Sequence, residues 1–112
     1  MATNYDDHTK NFSFILKQKG RWGLAPAYDV CFSYAPDNIW VSQHTLSING
    51  KHKDIKEVDL MALADANNIR NGDKIVKEIT EIVSNWGDYA EKAGVSSELR
   101  DYIRKNLAVL RF

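Results

Sequence analysis

The chain changes character near residue 53, and that change limits the folds open to it. From Asp54 onward, apolar residues recur at three- and four-residue steps; before it lie most of the aromatics and both prolines. Helical periodicity in one half and its absence in the other predict an α+β fold that is mostly α. Its expected form is an N-terminal β-hairpin in residues 1–53 followed by a helical bundle in 54–112. Hydrophobic residues make up 44% of the 112, so a single domain can bury a core. The lone Cys31 excludes an intrachain disulfide framework and a multi-cysteine zinc site. No apolar run approaches the roughly 20 residues that span a bilayer. The acidic, polar start from Met1 to Asp7 is unlike a secretory signal. These features predict a soluble, cytoplasmic protein with no membrane partner. Fifteen basic residues balance fifteen acidic ones, which argues against a general nucleic-acid coat.

Within the first half, Phe12-Ser13-Phe14-Ile15-Leu16-Lys17 and Arg21-Trp22-Gly23-Leu24 flank Gln18-Lys19-Gly20, the pattern of a hairpin. Pro26 stops the second strand, because proline cannot donate to a ladder. Pro36-Asp37-Asn38 and Asn49-Gly50 read as turns, and Ile39–Val41 and Leu46–Ile48 as short strands. The first helix is expected to open at Asp54, with Glu57 completing a capping box, and to end at Asn67-Asn68. Val58, Met61, Ala62 and Leu63 would form its apolar face. The second carries one stripe through Ile75, Ile79, Ile82, Val83, Trp86 and Ala90, and Gly94 caps its end. The third opens at Ser96 or Ser97, with a stripe of Leu99, Tyr102, Ile103, Leu107 and Leu110.

The densest chemistry lies at the start. Asn4-Tyr5-Asp6-Asp7-His8-Thr9-Lys10-Asn11 runs directly into the first strand, and Asp29 follows the second. A short hairpin returns the chain to its starting edge, so Asp6, Asn11 and Asp29 can face one site. Phosphoryl transfer needs such a set: one carboxylate to take the acceptor proton, and a carboxylate plus an amide oxygen to hold Mg²⁺ on the phosphates. Protein kinases place these groups as an Asp, an Asn five residues on, a strand pair and a second Asp. Asp6, Asn11, the hairpin and Asp29 follow that order.

Asn4-x-Asp6-Asp7-His8-x-Lys10-Asn11-Phe12, then Gly20-x-Trp22-x-Leu24-x-Pro26-Ala27-Tyr28-Asp29, resembles the C-terminal lobe of HipA-like serine/threonine kinases, the toxins of HipBA toxin–antitoxin systems. Leu46-Ser47-Ile48-Asn49-Gly50-Lys51 is similar to a downstream segment of that family. The motifs cover about the first fifty residues, and the helical remainder agrees by pattern alone. The resemblance implies a kinase-like lobe that uses ATP and Mg²⁺. Asp6 would be the catalytic base, and Asn11 and Asp29 the Mg²⁺ ligands. Lys10 would join the catalytic set by offsetting phosphate charge. His8 would brace the loop on the cofactor side, and Asp7 would have no direct chemistry. Val30-Cys31, not Phe-Gly, follows Asp29, as is usual in the family. The family also implies a protein substrate such as an aminoacyl-tRNA synthetase. It implies a DNA-binding antitoxin partner too, so contact with DNA would be indirect.

Other residues carry plainer expectations. His8 and His44 are expected to be hydrogen-bonded histidines, being too few for zinc. Cys31 is expected to be a buried structural thiol, and Trp22, Trp40 and Trp86 core or interface anchors. Lys74, Lys77, Glu78 and Glu81, like Arg100, Arg104 and Lys105, read as solvated faces. No G-x-G-x-x-G occurs among the six glycines, and a kinase needs such a loop over its phosphates. The chain therefore reads as the C-terminal part of a HipA-like kinase, inactive alone, with exposed apolar surface near Phe12, Phe14, Trp22 and Tyr28 that favours self-association. The alternative reading is a non-catalytic helical module that binds an antitoxin-like partner.

Overall fold

The computed structural model describes residues 2–109. Leu110, expected on the last helix's stripe, lies outside them. The order is a two-stranded antiparallel hairpin, β1 (Phe14–Lys17) and β2 (Arg21–Leu24), then four helices: α1 (Glu57–Ala66), α2 (Gly72–Ser84), α3 (Trp86–Lys92) and α4 (Ser97–Asn106). The expected α+β, mostly helical class is therefore present. Phe14 pairs with Leu24, and Leu16 with Trp22. The reversal at Gln18–Gly20 uses positive φ at Lys19 (66°) and Gly20 (71°), values that glycine adopts without a Cβ clash. Residues 25–56 are loop, with the expected turn at Pro36-Asp37 and a bridge between Ile48 and Lys51 around Asn49-Gly50. Ile39–Val41 is a turn rather than a strand, and Leu46–Ile48 forms no ladder.

The first helix is capped two residues later than expected. Asp54 has φ +52°, which is incompatible with an N-cap. Lys56 is the cap, and its backbone N–H donates to the Asp59 carboxylate at 2.9 Å. The inward face is offset too. Asp59 and Ala64 are buried, whereas Val58 and Leu63 are exposed. Asp59 is charged yet only 1% exposed. Lys51 Nζ at 2.8 Å and Asn49 Nδ2 at 2.9 Å complete its shell. This fastens the Ile48–Lys51 turn to α1.

The expected second helix divides at Asn85 into α2 and α3. Thr80 Oγ1 donates to the Val76 carbonyl and Ser84 Oγ to the Thr80 carbonyl, both at 2.8 Å. Such back-bonds compete with the helical ladder and bend it. The inward seam runs through Gly72, Val76, Thr80 and Ala90, leaving Ile75, Ile79 and Ile82 exposed. Gly94 ends α3 with φ +71°, as expected of a left-handed cap. Ser96 caps α4 by accepting from the Leu99 N–H. On α4, Ile103 is buried while Leu99 and Tyr102 are exposed. Each helix packs on the next.

The N-terminus is stitched to the last helix. Thr3, buried, donates from Oγ1 to the Asn106 carbonyl at 2.8 Å and accepts from the Ala108 N–H at 3.0 Å. Edge-to-face rings continue the link, from His44 through Tyr5, Tyr34 and Phe32 to Tyr102 on α4.

Candidate active site

The site grows from one backbone bridge. Asn4 pairs in parallel with Ser33: the Tyr5 N–H donates to the Ser33 carbonyl at 2.9 Å, and the Ser33 N–H to the Thr3 carbonyl at 3.0 Å. The loop carrying Asp6 leaves one side of this rung, and the loop carrying Asp29 enters the other. The hairpin closes the far end, where the Ala25 N–H donates to the Ser13 carbonyl at 2.9 Å. Tyr28 Oη donates to the Lys10 carbonyl at 2.7 Å, tying the segment after β2 to the loop before β1.

Asp6 sits between two asparagines. Asn11 Nδ2 donates to the Asp6 carbonyl at 2.8 Å. That commits the nitrogen end of the amide and leaves Asn11 Oδ1 as an acceptor. Asn4 Oδ1 accepts from the Asp6 N–H at 3.2 Å, while its Nδ2 donates to the Asp29 carbonyl at 2.9 Å. Asp29 holds φ +55° and is exposed. His8 Nε2 lies 3.8 Å from Asp6 Oδ1, and His8 Nδ1 is buried without a hydrogen-bond partner. The expectation of a satisfied His8 is thus corrected: its second nitrogen is buried with no hydrogen-bond partner. Lys10 is exposed on the short 3-10 turn Thr9–Asn11.

Asp7 has a larger role than its sequence reading assigned. Its carboxylate pairs with His44 Nδ1 at 2.7 Å and accepts from the Thr45 N–H at 2.7 Å and the Leu46 N–H at 3.4 Å. His44 is therefore the bonded histidine expected. The contacts pin residues 44–46 behind the Asp6 loop. Tyr5 stacks edge-on against His44. Burial pushes the Tyr5 hydroxyl above its usual pKa, helped by Tyr34, Asp54 and Asp7.

Asn11 and Asp29 offer an amide and a carboxylate oxygen, the hard donors that Mg²⁺ takes beside phosphate and water. This donor chemistry fits a metal–nucleotide ligand. Among the described residues no three His, Cys, Asp or Glu gather as a metal cluster. The cleft beside the loop, between Asp7, Asn11, Leu24, Pro26 and Tyr28, holds about 150 Å³. That is too small to enclose a nucleotide, whose sites run to roughly 300–1,000 Å³. A larger cavity of about 410 Å³ lies among Tyr5, His44, Asp54 and Leu60, and neither Asp6 nor Asp29 lines it.

One further expectation is corrected and another is narrowed. Cys31 is exposed rather than buried, because it follows Asp29 on the open side of the loop; its Sγ is 3.9 Å from Asp29 Oδ1. Of the two roles expected for the tryptophans, core or interface anchor, 69% and 75% exposure removes the core role for Trp22 and Trp40. Trp86 is half-buried and donates from Nε1 to the Arg100 carbonyl at 3.1 Å, anchoring α3 to α4.

Comparison with known families agrees with the motif. The family model described as HipA-like C-terminal domain matches residues 1–86, which covers the loop, the hairpin, α1 and α2. The chain belongs to the HipA-like C-terminal domain family. Comparisons with curated proteins and with solved structures found no match. No helix among the described residues is long and apolar enough to cross a membrane.

Proposed function

We propose that this chain is the base- and magnesium-bearing part of a HipA-like serine/threonine kinase, with a kinase-like lobe architecture, working in the cytoplasm as the toxin of a toxin–antitoxin pair. The observation that carries this reading is the Asn4 side chain, which bonds the Asp6 and Asp29 backbones together. In this scheme Asp6 orients the acceptor Ser or Thr hydroxyl and takes its proton as the γ-phosphoryl group of ATP leaves for that oxygen. Asn11 and Asp29 hold Mg²⁺, which neutralises charge on the phosphates. Lys10 faces the phosphates as a mobile cation, and His8 braces the loop on the nucleotide side. The protein substrate, an aminoacyl-tRNA synthetase among the candidates, meets the exposed side of the Asp6 loop. A DNA-binding antitoxin is the expected partner, and DNA is reached only through it.

The 150 Å³ cleft does not enclose a nucleotide, so the chain alone transfers phosphate slowly at best. The test is label transfer from γ-³²P-ATP to protein serine or threonine with Mg²⁺. The expected result is no label from this chain alone and, from a longer chain that carries a glycine-rich phosphate loop, a signal that vanishes in Asp6→Ala, since a positioned base contributes about 10²–10⁴-fold. Transfer that survives Asp6→Ala overturns the assignment. The second reading, a non-catalytic module for an antitoxin-like partner, is favoured by the open isoleucines of α2. It is supported if Ile79→Glu abolishes antitoxin binding while Mg²⁺–ATP leaves the thermal midpoint unmoved.

A further inference from the structure

We propose that Asn4 is the positioning residue of this site: its one amide sets the separation between the base loop and Asp29 by bonding the backbone on both sides. The inference rests on reading Asp6, Asn11 and Asp29 as a phosphotransfer site, and turns the Asn4 contacts that support that reading into a function of their own.

Three observations carry it. The Asn4 backbone is fixed by its bridge to Ser33, so the side chain starts from a rigid rung. From there the two ends of the amide diverge. Oδ1 accepts from the Asp6 N–H at 3.2 Å, and Nδ2 donates to the Asp29 carbonyl 25 residues away at 2.9 Å. Finally, Asp29 sits at φ +55°, a left-handed conformation that a non-glycine residue keeps only when its surroundings hold it. The Asn4 donor holds the carbonyl of that residue. Without it, Asp29 can relax toward ordinary φ, and its carboxylate swings relative to Asn11.

The chemistry requires asparagine. Aspartate offers no donor for the Asp29 carbonyl. Serine can still accept from the N–H two residues on, as in the common local turn, but is too short to span to the second loop. Asn4 touches neither phosphate nor metal in this scheme; it acts through the two backbones.

Serine therefore separates the local bond from the long-range one. The full chain is titrated with Mn²⁺, and paramagnetic broadening of backbone amide NMR signals reports binding. Wild type is expected to show saturable broadening around Asp29 that Asp29→Asn removes. Asn4→Ser and Asn4→Ala are both expected to weaken Mn²⁺ about tenfold, with wild-type signal dispersion and thermal midpoints within a few degrees. Wild-type Mn²⁺ affinity in Asn4→Ser overturns the positioning role while leaving the metal site standing. Wild-type binding that is absent, or survives Asp29→Asn, overturns the metal reading itself and the role of Asn4 with it.

Discussion

At the residue scale, Asp59 keeps a carboxylate charge at 1% exposure because donors converge on it: Lys51 Nζ, Asn49 Nδ2 and the Lys56 N–H. The side-chain bond from Lys51 comes first among the causes that hold its pKa well below the ordinary carboxylate range, ahead of Lys56 and Asn49. A lowered folded-state pKa contributes stability that is fully present above the unfolded value, near 4, and is lost as pH falls below it. Thermal unfolding is therefore expected to show a midpoint flat from pH 7 to about 5 and falling below pH 4, with Asp59→Asn removing part of that acid slope. A second expectation concerns Asp7, whose carboxylate holds the Thr45 and Leu46 amides. Asp7→Ala is expected to raise hydrogen exchange at those two amides by about tenfold, as for the loss of a charged hydrogen bond worth about 1.5 kcal/mol. Unchanged exchange would show that the loop is held from elsewhere. Neither partner set was legible beforehand. Asp7 and Asp59 look like solvated charges in sequence, and their donors are named only once distant backbone is brought to them.

At the element scale, α1 and α2 approach closely because Gly72 faces Ala64. A Cβ built on Gly72 would stand 2.6 Å from the Ala64 Cβ, inside any real carbon contact. Gly72→Ala is expected to lower stability by about 1–3 kcal/mol in chemical denaturation, the usual range for overpacking. Gly20→Ala has open space around its Cβ, so its cost comes only from the +71° φ, about 1 kcal/mol. The hairpin was legible to within two residues, because Gln18-Lys19-Gly20 carries local turn chemistry. The helices were legible as helices, but their inward faces were not. Counting apolar residues selects Ile75, Ile79 and Ile82, whereas the packed seam uses Gly72, Val76, Thr80 and Ala90. Close packing favours small side chains, and those weigh little in a hydrophobic count.

At the scale of the whole molecule, the fold leaves much apolar surface open. Its accessible area is 8636 Å², against about 6,300 Å² for a compact monomer of this mass. Its radius of gyration is 15.8 Å, against about 13 Å for a compact chain of this length. Phe14, Leu16, Trp22 and Leu24 share one hairpin face by the ladder register, and all are exposed. A two-stranded ribbon with an uncovered apolar face is marginal in water. The purified chain is expected to self-associate at high concentration in sedimentation velocity, with Trp22→Lys shifting it toward monomer. A strictly monomeric wild type at high concentration counts against this.

The sequence alone determined that the second half is helical, the hairpin and its turn, the caps at Gly94 and Ser96, and the ordered motif that places the chain in its family. The helices, the hairpin and the caps depend on residues within a few positions of one another, where steric and turn preferences act directly, and the motif is read from residue order alone. Only the tertiary structure decided which helix faces turn inward. It also decided that Asp59 is buried with its donors, that Asp7 grips residues 44–46, and that Asn4 spans from Asp6 to Asp29. Those outcomes join residues far apart in the chain, and a side chain's partner is set by packing that no local preference encodes.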